Sequence, residues 1–328
     1  MSAPSPILAV QGLERHFPVR NAIGLHSGSI KALDNVSFEV KTGETLGIVG
    51  ESGCGKTTLG KTLAGIHAPT CGLVLFEGAE ISALTGTERR RIAQRLQYIH
   101  QDPGNALDPR WTIRRSLEEP LVIHTVLSRA EREARVREIL SAVGLPATHL
   151  DLYPHELSGG QQRRVGLARI LTLKPRFVIL DEPTSGLDVS VQAAVLKLIR
   201  SLSTTFDLSY LFISHDLAVV RMMCDRVAVM YLGRIVEIAS ATELFTNPRH
   251  PYTRSLLAAI PQIGGRRVTD TFVLEGEPAD PGRLPSGCRF RGRCPKAAAV
   301  CAEREPGLEP VAGSHAAACH FAGTTAHG

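Results

Sequence analysis

The segment GESGCGKT at positions 50–57 constrains this chain more than any other feature of its sequence. It fits the pattern G-x-x-x-x-G-K-[ST], follows the short apolar run 45–49 and leads into residues 56–66, which have helical spacing. Such a loop between a strand and a helix points backbone N–H groups at phosphate oxygens, and the helix N-terminus adds its positive end. The sequence therefore predicts a phosphate-binding loop, with Lys56 near the β- and γ-phosphates and Thr57 binding Mg²⁺.

A second short apolar run, residues 177–180, ends in two acidic residues, Asp181 and Glu182. A carboxylate at the end of a buried strand is costly unless it meets a cation, so Asp181 is a candidate ligand for Mg²⁺. Glu182 follows directly and can polarise an attacking water as a general base. The alternative is an ordinary Asp-Glu-Pro turn.

The rest of the first 262 residues fits an α/β fold with additions. Two β-like runs, 7–17 and 30–40, alternate in polarity and predict an antiparallel layer. Between the two central strands the pattern becomes helical, and Ser128 with Glu131 predicts a capping box at the start of a helix over 129–143. We therefore expect a helical subdomain inserted into the α/β core.

Composition and charge exclude several classes of protein. The chain has 328 residues, 43% of them hydrophobic, which excludes a disordered protein, and its net charge of +5 is too small for a dedicated nucleic-acid binder. No apolar run approaches the roughly 18 residues that a membrane-spanning helix needs, and the first residues lack the features of a signal peptide. We expect a cytosolic location, with attachment to a membrane partner left open.

The last part of the chain differs in composition from the rest. After about residue 261 it becomes rich in Gly, Pro, Arg and Cys, which predicts a loop-rich module over residues 263–328 that needs a staple other than a core. Four of the seven cysteines crowd this module: Cys288, Cys294, Cys301 and Cys319. Thiolates bind zinc or an iron–sulfur cluster, and interleaved arginines would offset their charge. Free cysteines, or a mixed zinc site with His315 or His320, remain alternatives.

The segment LSGGQ at positions 157–161 resembles the signature of ABC ATPases. The resemblance implies a P-loop NTPase (RecA-like) core with an N-terminal antiparallel β subdomain and a helical signature subdomain at about 102–165. It also implies a head-to-tail dimer, in which residues 158–161 close over the γ-phosphate of ATP bound at the partner's loop. A small hydroxyl and glycine N–H groups before a helix suit that role. Hydrolysis would then be slow or absent until two cassettes pair.

Further positions match the family one by one. Gln101, after Tyr-Ile-His, resembles the Q-loop glutamine, and Asp188, at the end of SGLD, resembles the D-loop aspartate. His215, in ISHD, resembles the switch histidine that contacts the γ-phosphate. Phe17 occupies the place of the aromatic residue that stacks on adenine, with His16 as a competing choice.

The resemblance and the motifs together define one candidate site. The residues expected to catalyse hydrolysis are Glu182, His215 and Gln101, and those expected to bind Mg²⁺ are Thr57, Gln101 and Asp181. The residues expected to contact nucleotide are Phe17, Gly50, Glu51, Ser52, Gly53, Cys54, Gly55, Lys56, Thr57, Thr58, Ser158, Gly159, Gly160, Gln161 and Asp188.

Four longer runs look like the oligopeptide and dipeptide importer subfamily: residues 101–110, 153–157, 247–254 and 287–295. The resemblance implies an ATPase for peptide import at the cytoplasmic face of the membrane, while relatives in the subfamily carry nickel or glutathione. It implies three kinds of partner: a second identical or related cassette, two membrane permeases and an extracytoplasmic binding protein. For the four cysteines it points to a [4Fe–4S] cluster rather than zinc.

Two rival functions use the same catalytic motifs. A soluble ABC ATPase acting on nucleic acid or ribosomes is opposed by the single P-loop, the single signature and the lack of a basic and aromatic stripe. We therefore expect no direct contact with nucleic acid. An exporter is opposed by the four importer-like runs, although the membrane partner, and not the cassette, sets the direction of transport.

Overall fold

The computed structural model describes residues 5–20, 26–100, 103–259 and 279–323. In chain order the strands are β1 (Leu8–Arg20), β2 (His26–Val40), β3 (Thr45–Val49), β4 (Cys71–Phe76), β5 (Ala79–Glu80), β6 (Leu96–Ile99), β7 (Phe177–Asp181), β8 (Ser209–Ile213), β9 (Arg226–Tyr231), β10 (Arg234–Ser240), β11 (Glu309–Ala312) and β12 (His315–Ala317). The α-helices are α1 (Lys56–Leu63), α2 (Gly86–Arg95), α3 (Ile113–His124), α4 (Arg129–Ala142), α5 (Gly159–Leu171), α6 (Val189–Phe206), α7 (Leu217–Met223), α8 (Ala241–Thr246), α9 (Pro251–Ala258) and α10 (Ala299–Glu303).

The chain divides into two compact units, and the division falls within β8. Unit 1 comprises Met1–Ile7, Lys41–Glu44 and Ala83–Leu211, and unit 2 comprises Leu8–Val40, Thr45–Ser82 and Phe212–Gly328.

Unit 2 contains the antiparallel layer that the alternating runs predicted. Four strands lie in the order β2-β1-β4-β5. Leu8 of β1 faces Val40 of β2 on one side and Phe76 of β4 on the other, and all three side chains are buried. Apolar side chains from alternate positions therefore cover one face of this sheet, which confirms the prediction.

A second set of strands in unit 2 carries the phosphate-binding loop. Its order is β11-β12-β10-β9-β3, with β3 parallel to β9 and the other pairs antiparallel. All five residues of β3 are buried, as expected of a strand that is covered on both faces. The strand over 45–49 and the helix that follows the loop are confirmed, although α1 ends at Leu63.

Unit 1 combines two parallel strands with the predicted helices. Strand β6 pairs in parallel with β7, and α4 begins at the predicted capping box, in which Ser128 and Glu131 satisfy each other's backbone N–H groups. Helix α4 buries Val136, Ile139 and Leu140, one face of a period near 3.6. Local sequence signals were therefore sufficient to predict this helix.

The described part of the tail has more regular structure than its composition suggested. Strand β12 pairs with β10 through Glu237 opposite Ala317, and β11 pairs with β12. Phe290 is only 2% exposed and its ring lies 5.5 Å from that of Tyr252. The β10–β12 pairing and the Phe290–Tyr252 contact join residues far apart in sequence, so the composition of the tail could not indicate them.

A fully buried carboxylate, that of Glu237 on β10, joins the tail to its neighbours in unit 2. Its oxygens accept hydrogen bonds from the backbone N–H groups of Arg249 (2.6 Å) and His250 (2.9 Å), and His315 Nε2 lies 2.7 Å from Oε1. Burial alone would raise the pKa of Glu237, but these contacts, that with His315 above all, stabilise its charged form and hold the pKa below its ordinary value. The carboxylate is therefore charged and satisfied inside the fold.

Replacement of this carboxylate by an amide is expected to destabilise the fold. In Glu237→Gln the amide NH₂ competes for a place beside backbone donors, so the free energy of unfolding should fall by about 2–4 kcal/mol at pH 7. The pKa of Glu237 in the folded state is lowered from 4.5. The difference in unfolding free energy between the variant and the wild type should therefore be complete above pH 4.5. It should shrink as the pH falls through the pKa that Glu237 has in the folded state.

Urea unfolding at a series of pH values measures both effects. Glu309→Gln, at an exposed position of β11, is the control and should change the unfolding free energy by less than about 0.5 kcal/mol. Equal stability of Glu237→Gln and the wild type at pH 7 would contradict the prediction.

Candidate functional site

The backbone around the loop at residues 50–57 restricts the conformation of that loop. Gly50 and Gly55 have φ angles of 150° and 111°, which side chains rarely allow. A Cβ atom on Gly50 would lie 2.2 Å from the carbonyl oxygen of Met230, and one on Gly55 would lie 2.4 Å from that of Ala32. Glycine is therefore required at both positions by the backbone of unit 2.

The lysine of the loop is folded against the loop itself. Lys56 Nζ donates to the carbonyl oxygens of Gly50 (2.7 Å) and Glu51 (2.9 Å), and the side chain is buried. Helix α1 begins at Lys56 with no side-chain cap and no acidic residue in its first turn. Its N-terminus therefore leaves backbone N–H groups available to an anion, and the roles of Lys56 at the phosphates and of Thr57 at Mg²⁺ stay predictions.

His215 lies at the same strand ends as the phosphate-binding loop. The N–H of Ser214 donates to the carbonyl oxygen of Ile48 (3.1 Å), so the chain after β8 is fixed beside the end of β3. Asp216 then caps α7 by accepting from two backbone N–H groups. His215, between them, is exposed, which suits a residue that reaches a bound phosphate.

Phe17, the predicted adenine-stacking residue, lies on β1 in unit 2. Its ring meets that of His67 edge-on with 5.6 Å between centroids, and the Arg15 guanidinium lies 4.6 Å from its centroid. The competing choice, His16, has its Nε2 3.3 Å from a carboxylate oxygen of Glu14. Both side chains are partly exposed, and the adenine-stacking role of Phe17 stays a prediction.

The predicted Mg²⁺ ligand, Asp181, ends the buried strand β7 in unit 1. It is 4% exposed, and Tyr98 on the neighbouring strand β6 donates its hydroxyl to Asp181 Oδ2 at 2.5 Å. Burial and this bond raise the pKa of Tyr98, so the phenol keeps its proton and orients the carboxylate. The sequence did not predict this role for Tyr98, because the bond joins residues 83 positions apart.

Glu182 has an unusual backbone conformation, with a φ angle of 50°. A non-glycine residue in this region costs about 1–3 kcal/mol and is found at functional turns. Arg163, a buried residue of α5, donates to the carbonyl oxygens of Pro183 (3.1 Å) and Ser185 (3.2 Å) and so supports the turn. This arginine positions the predicted general base, and no pattern in the sequence marked it.

The signature residues form the start of α5 in unit 1. Ser158 Oγ accepts from the N–H of Gln161, and Gln161 Oε1 accepts from the N–H of Ser158, which makes a capping box. A Cβ atom on Gly159 would meet no described atom within 4 Å, and one on Gly160 would make only an ordinary contact at 3.8 Å. The described part of the chain therefore does not itself require glycine at either position.

Of two other predicted site residues, Asp188 and Gln101, the structure describes only Asp188. Asp188 caps α6 by accepting from the N–H of Val191 (2.9 Å) and the hydroxyl of Ser190 (2.7 Å), and these bonds lower its pKa. Val189, beside it, is 82% exposed. Gln101 lies outside the described residues.

The four tail cysteines lie near one another but not within the reach of a single ion. Burial and, to a smaller extent, the three other thiols, Cys301, Cys294 and Cys319, raise the pKa of Cys288 to about 11. Burial and neighbouring thiols also raise the pKa values of Cys294 and Cys319. Nevertheless, no three of these sulfur atoms lie within 4.8 Å of one another. Tetrahedral zinc needs sulfurs about 3.8 Å apart, so they are too widely spaced for it as they stand.

In the described part of the chain, one group of side chains has the spacing of a metal site: Glu14, His16 and Asp34. Burial alone would raise the pKa of Asp34, but a hydrogen bond from Arg289 and the charges of Arg234 and Lys31 hold it low. Three cations already surround this carboxylate, which opposes a further one.

The site residues thus fall into two sets. Unit 2 holds Phe17, the loop at 50–57 and His215, while unit 1 holds the signature, Asp181, Glu182 and Asp188. Apart from Phe17, which lies within the antiparallel strand β1, these side chains follow strand ends or lie at helix starts, where α/β folds place their ligands.

Comparison with known proteins places this arrangement in a family. Residues 33–185 match the model of the ABC transporter family, and residues 236–301 match that of the oligopeptide/dipeptide transporter C-terminal region. The dimeric ATP-binding cassette MJ0796, solved in a post-hydrolysis state with ADP and Pi, is similar with a TM-score of 0.63 and 26% identity, covering 71% of this chain and 98% of that one.

Relatives of similar length are more alike in sequence. A Brucella ovis protein named for ATP binding in peptide import is 48% identical over 96% of this chain and 98% of its own length. The oligopeptide transport ATP-binding protein AppF of Bacillus subtilis is 46% identical over 96% and 97%, and the di/tripeptide transport ATP-binding protein DppF of Pseudomonas aeruginosa 43% over 96% and 98%. This chain belongs to the ABC transporter family, among the ATP-binding proteins of its oligopeptide/dipeptide branch.

Proposed function

We propose that this chain is the ATP-hydrolysing subunit that energises the import of peptides across the cytoplasmic membrane. The phosphate-binding loop carries the proposal, because the φ angles of Gly50 and Gly55 suit a curled loop whose N–H groups face one anion, with Lys56 held against the same loop. Hydrolysis of MgATP then rests on positioning and charge stabilisation. In this scheme Thr57 and Asp181 bind Mg²⁺.

The remaining catalytic roles follow from the same scheme. Glu182 polarises the attacking water, His215 contacts the γ-phosphate and Gln101 completes the Mg²⁺ and water ligands. Phe17 stacks on adenine. Tyr98 holds Asp181 in one orientation, so the carboxylate is in place before the metal binds.

The cargo is the least constrained part of this proposal. Nickel and glutathione remain alternatives, but the relatives are named for peptide, oligopeptide and di/tripeptide transport. The match of residues 236–301 to an oligopeptide/dipeptide transporter region opposes a soluble ATPase acting on ribosomes or nucleic acid. Peptides are therefore the favoured cargo.

The membrane permeases are expected to dock on unit 1. A groove of about 310 Å³ lies between β6 and helices α3 and α5. Close by, Val122 and Ile123 are 58% and 63% exposed, and Val126 is fully exposed. In the described ranges no helix has the length and apolar character to cross a membrane. We place the chain at the cytoplasmic face of the membrane, attached through two permeases that receive substrate from an extracytoplasmic binding protein.

Pairing with a second cassette would explain the glycines of the signature. Gly159 stands at the first position of α5 with open space around its Cα, and the exposed Val189 lies on the following helix, α6. A partner's nucleotide phosphates, lying against the N–H groups of residues 158–161, would need that space. The proposed dimer has two such sites, each shared between two chains.

Substitution of the general base gives a direct test of hydrolysis. Glu182→Gln should keep the affinity for ATP and lower the rate of phosphate release at least about 100-fold, because the amide cannot take the proton of the attacking water. Asp207→Asn is the matched control, since Asp207 is another acidic residue with a left-handed backbone, with φ 52°. Undiminished hydrolysis by Glu182→Gln would contradict the role of Glu182.

The shared site predicts a separation between binding and turnover. Gly159→Asp should leave binding of ATP to the chain's own loop unchanged. It should lower ATP-dependent dimerisation and hydrolysis at least about tenfold, because the carboxylate repels the partner's phosphates. Gly323→Asp, at another glycine with open space around it, serves as the control. Normal dimerisation of Gly159→Asp in the presence of ATP would refute the shared site.

The proposed chain has two domains, and the second contains a metal centre. Residues 1–262 form the nucleotide-binding domain, and residues 263–328 form an extension in which Cys288, Cys294, Cys301 and Cys319 hold a [4Fe–4S] cluster. Support comes from the mutual proximity of the four thiols and from sulfur spacings too wide for a single zinc ion. A cluster in which each cysteine binds a different iron suits wider spacing. Zinc, with or without His315 or His320, is the alternative.

Metal analysis decides between these centres. Chain purified without oxygen should contain about four iron and four sulfide per molecule and absorb visible light. Cys301→Ser should lose most of the iron, whereas Cys71→Ser, at an exposed cysteine outside the tail, should retain it. One equivalent of zinc without iron would refute the cluster.

A further inference from the structure

An arginine of the tail forms an ion pair with the phosphate-binding loop. Arg293 lies in the single helical turn Arg291–Arg293, and its guanidinium donates to both carboxylate oxygens of Glu51, with Nη1–Oε2 at 2.7 Å and Nη2–Oε1 at 3.0 Å. The two residues are 242 positions apart. The Arg293 side chain is 8% exposed, so solvent screens this pair only weakly. Two parallel bonds of this kind fix direction as well as distance.

The backbone of Glu51 is held from a second side. Its N–H donates to the hydroxyl of Tyr252 at 2.8 Å. The ring of Tyr252 is fully buried and lies 5.5 Å from that of Phe290, three residues before Arg293. One aromatic cluster in unit 2 therefore supports both the loop and the tail turn that contacts it.

Glu51 matters to the loop because of its charge and its position. The loop is proposed to bind a polyphosphate, yet its second residue carries a negative charge. A carboxylate near bound phosphates lowers their affinity unless a cation neutralises it. Lys56 contacts Glu51 through its backbone carbonyl (2.9 Å). Arg293, by contrast, donates hydrogen bonds to both carboxylate oxygens of Glu51.

We propose that Arg293 is a positioning residue for the nucleotide site: the tail holds Glu51 away from the phosphates, and the ATP affinity of the loop depends on this bond. The inference rests on the proposed function, namely that residues 50–57 bind ATP. It gives the C-terminal tail a role in nucleotide binding that the catalytic motifs do not include.

Titration of the full-length variants with MgATP and MgADP tests the bond. Arg293→Gln should raise the dissociation constant of MgATP about tenfold, because the freed carboxylate repels phosphate and the loop loses one support. Arg293→Lys keeps the positive charge but cannot form the two parallel hydrogen bonds, so its affinity for MgATP should fall less than that of Arg293→Gln.

The matched control removes the same charge from the same turn. Arg291 bonds to Ser286 Oγ (3.0 Å) and the carbonyl of Ala302 (3.2 Å). Arg291→Gln should therefore leave the affinity within about twofold of the wild type. Thermal unfolding of each variant shows whether a change in affinity accompanies a loss of fold.

A double-mutant cycle separates a direct effect from general damage to the tail. In a Glu51→Gln background, Arg293→Gln should change the affinity by less than about twofold, because its partner charge is already gone. Full loss of affinity in that background, equal loss in Arg291→Gln, or wild-type affinity of Arg293→Gln would overturn the inference. A wild-type chain that binds no nucleotide would instead refute the proposed function.

Discussion

Two backbone carbonyl groups, those of Met230 and Ala32, press against the phosphate-binding loop where side chains would otherwise stand. The loop therefore has little freedom, and its shape belongs to the sheet structure of unit 2. The turn between β9 and β10 adds to this, because the N–H of Gly233 donates to the carbonyl of Cys54 at 2.8 Å. A loop fixed in this way can present N–H groups to an anion without a further entropic cost on binding.

The same rigid loop includes an acidic residue, Glu51, and an arginine of the tail forms an ion pair with it. Arg293, which pairs with Glu51, lies in a turn bounded by Cys288 and Cys294; the N–H of Arg291 donates to the carbonyl of Cys288 at 3.1 Å. A metal centre that fixes those cysteines would also fix the arginine. The extension and the catalytic loop are thus parts of one structure in unit 2.

Local patterns carried the sequence-based predictions that succeeded. The strand, loop and helix over 45–63 and the capping box at Ser128 depend on neighbours within a few positions, and the structure confirms them. Tyr98 lies 83 positions from Asp181, and no local pattern indicates that bond. The tail strands were missed because each is only three or four residues long, and because β12 pairs with β10, a strand distant in sequence.

The glycines of the two phosphate-binding motifs differ in what requires them. Gly50 and Gly55 are required by carbonyl groups of the same chain, so a single copy accounts for them. Gly159 has open space around it in the described structure, and its φ angle is one that other residues can adopt. Open space at a helix start is compatible with a ligand from outside the chain. In the proposed dimer, the loop therefore belongs to a site that the chain itself shapes, and the signature to a site that a second chain completes.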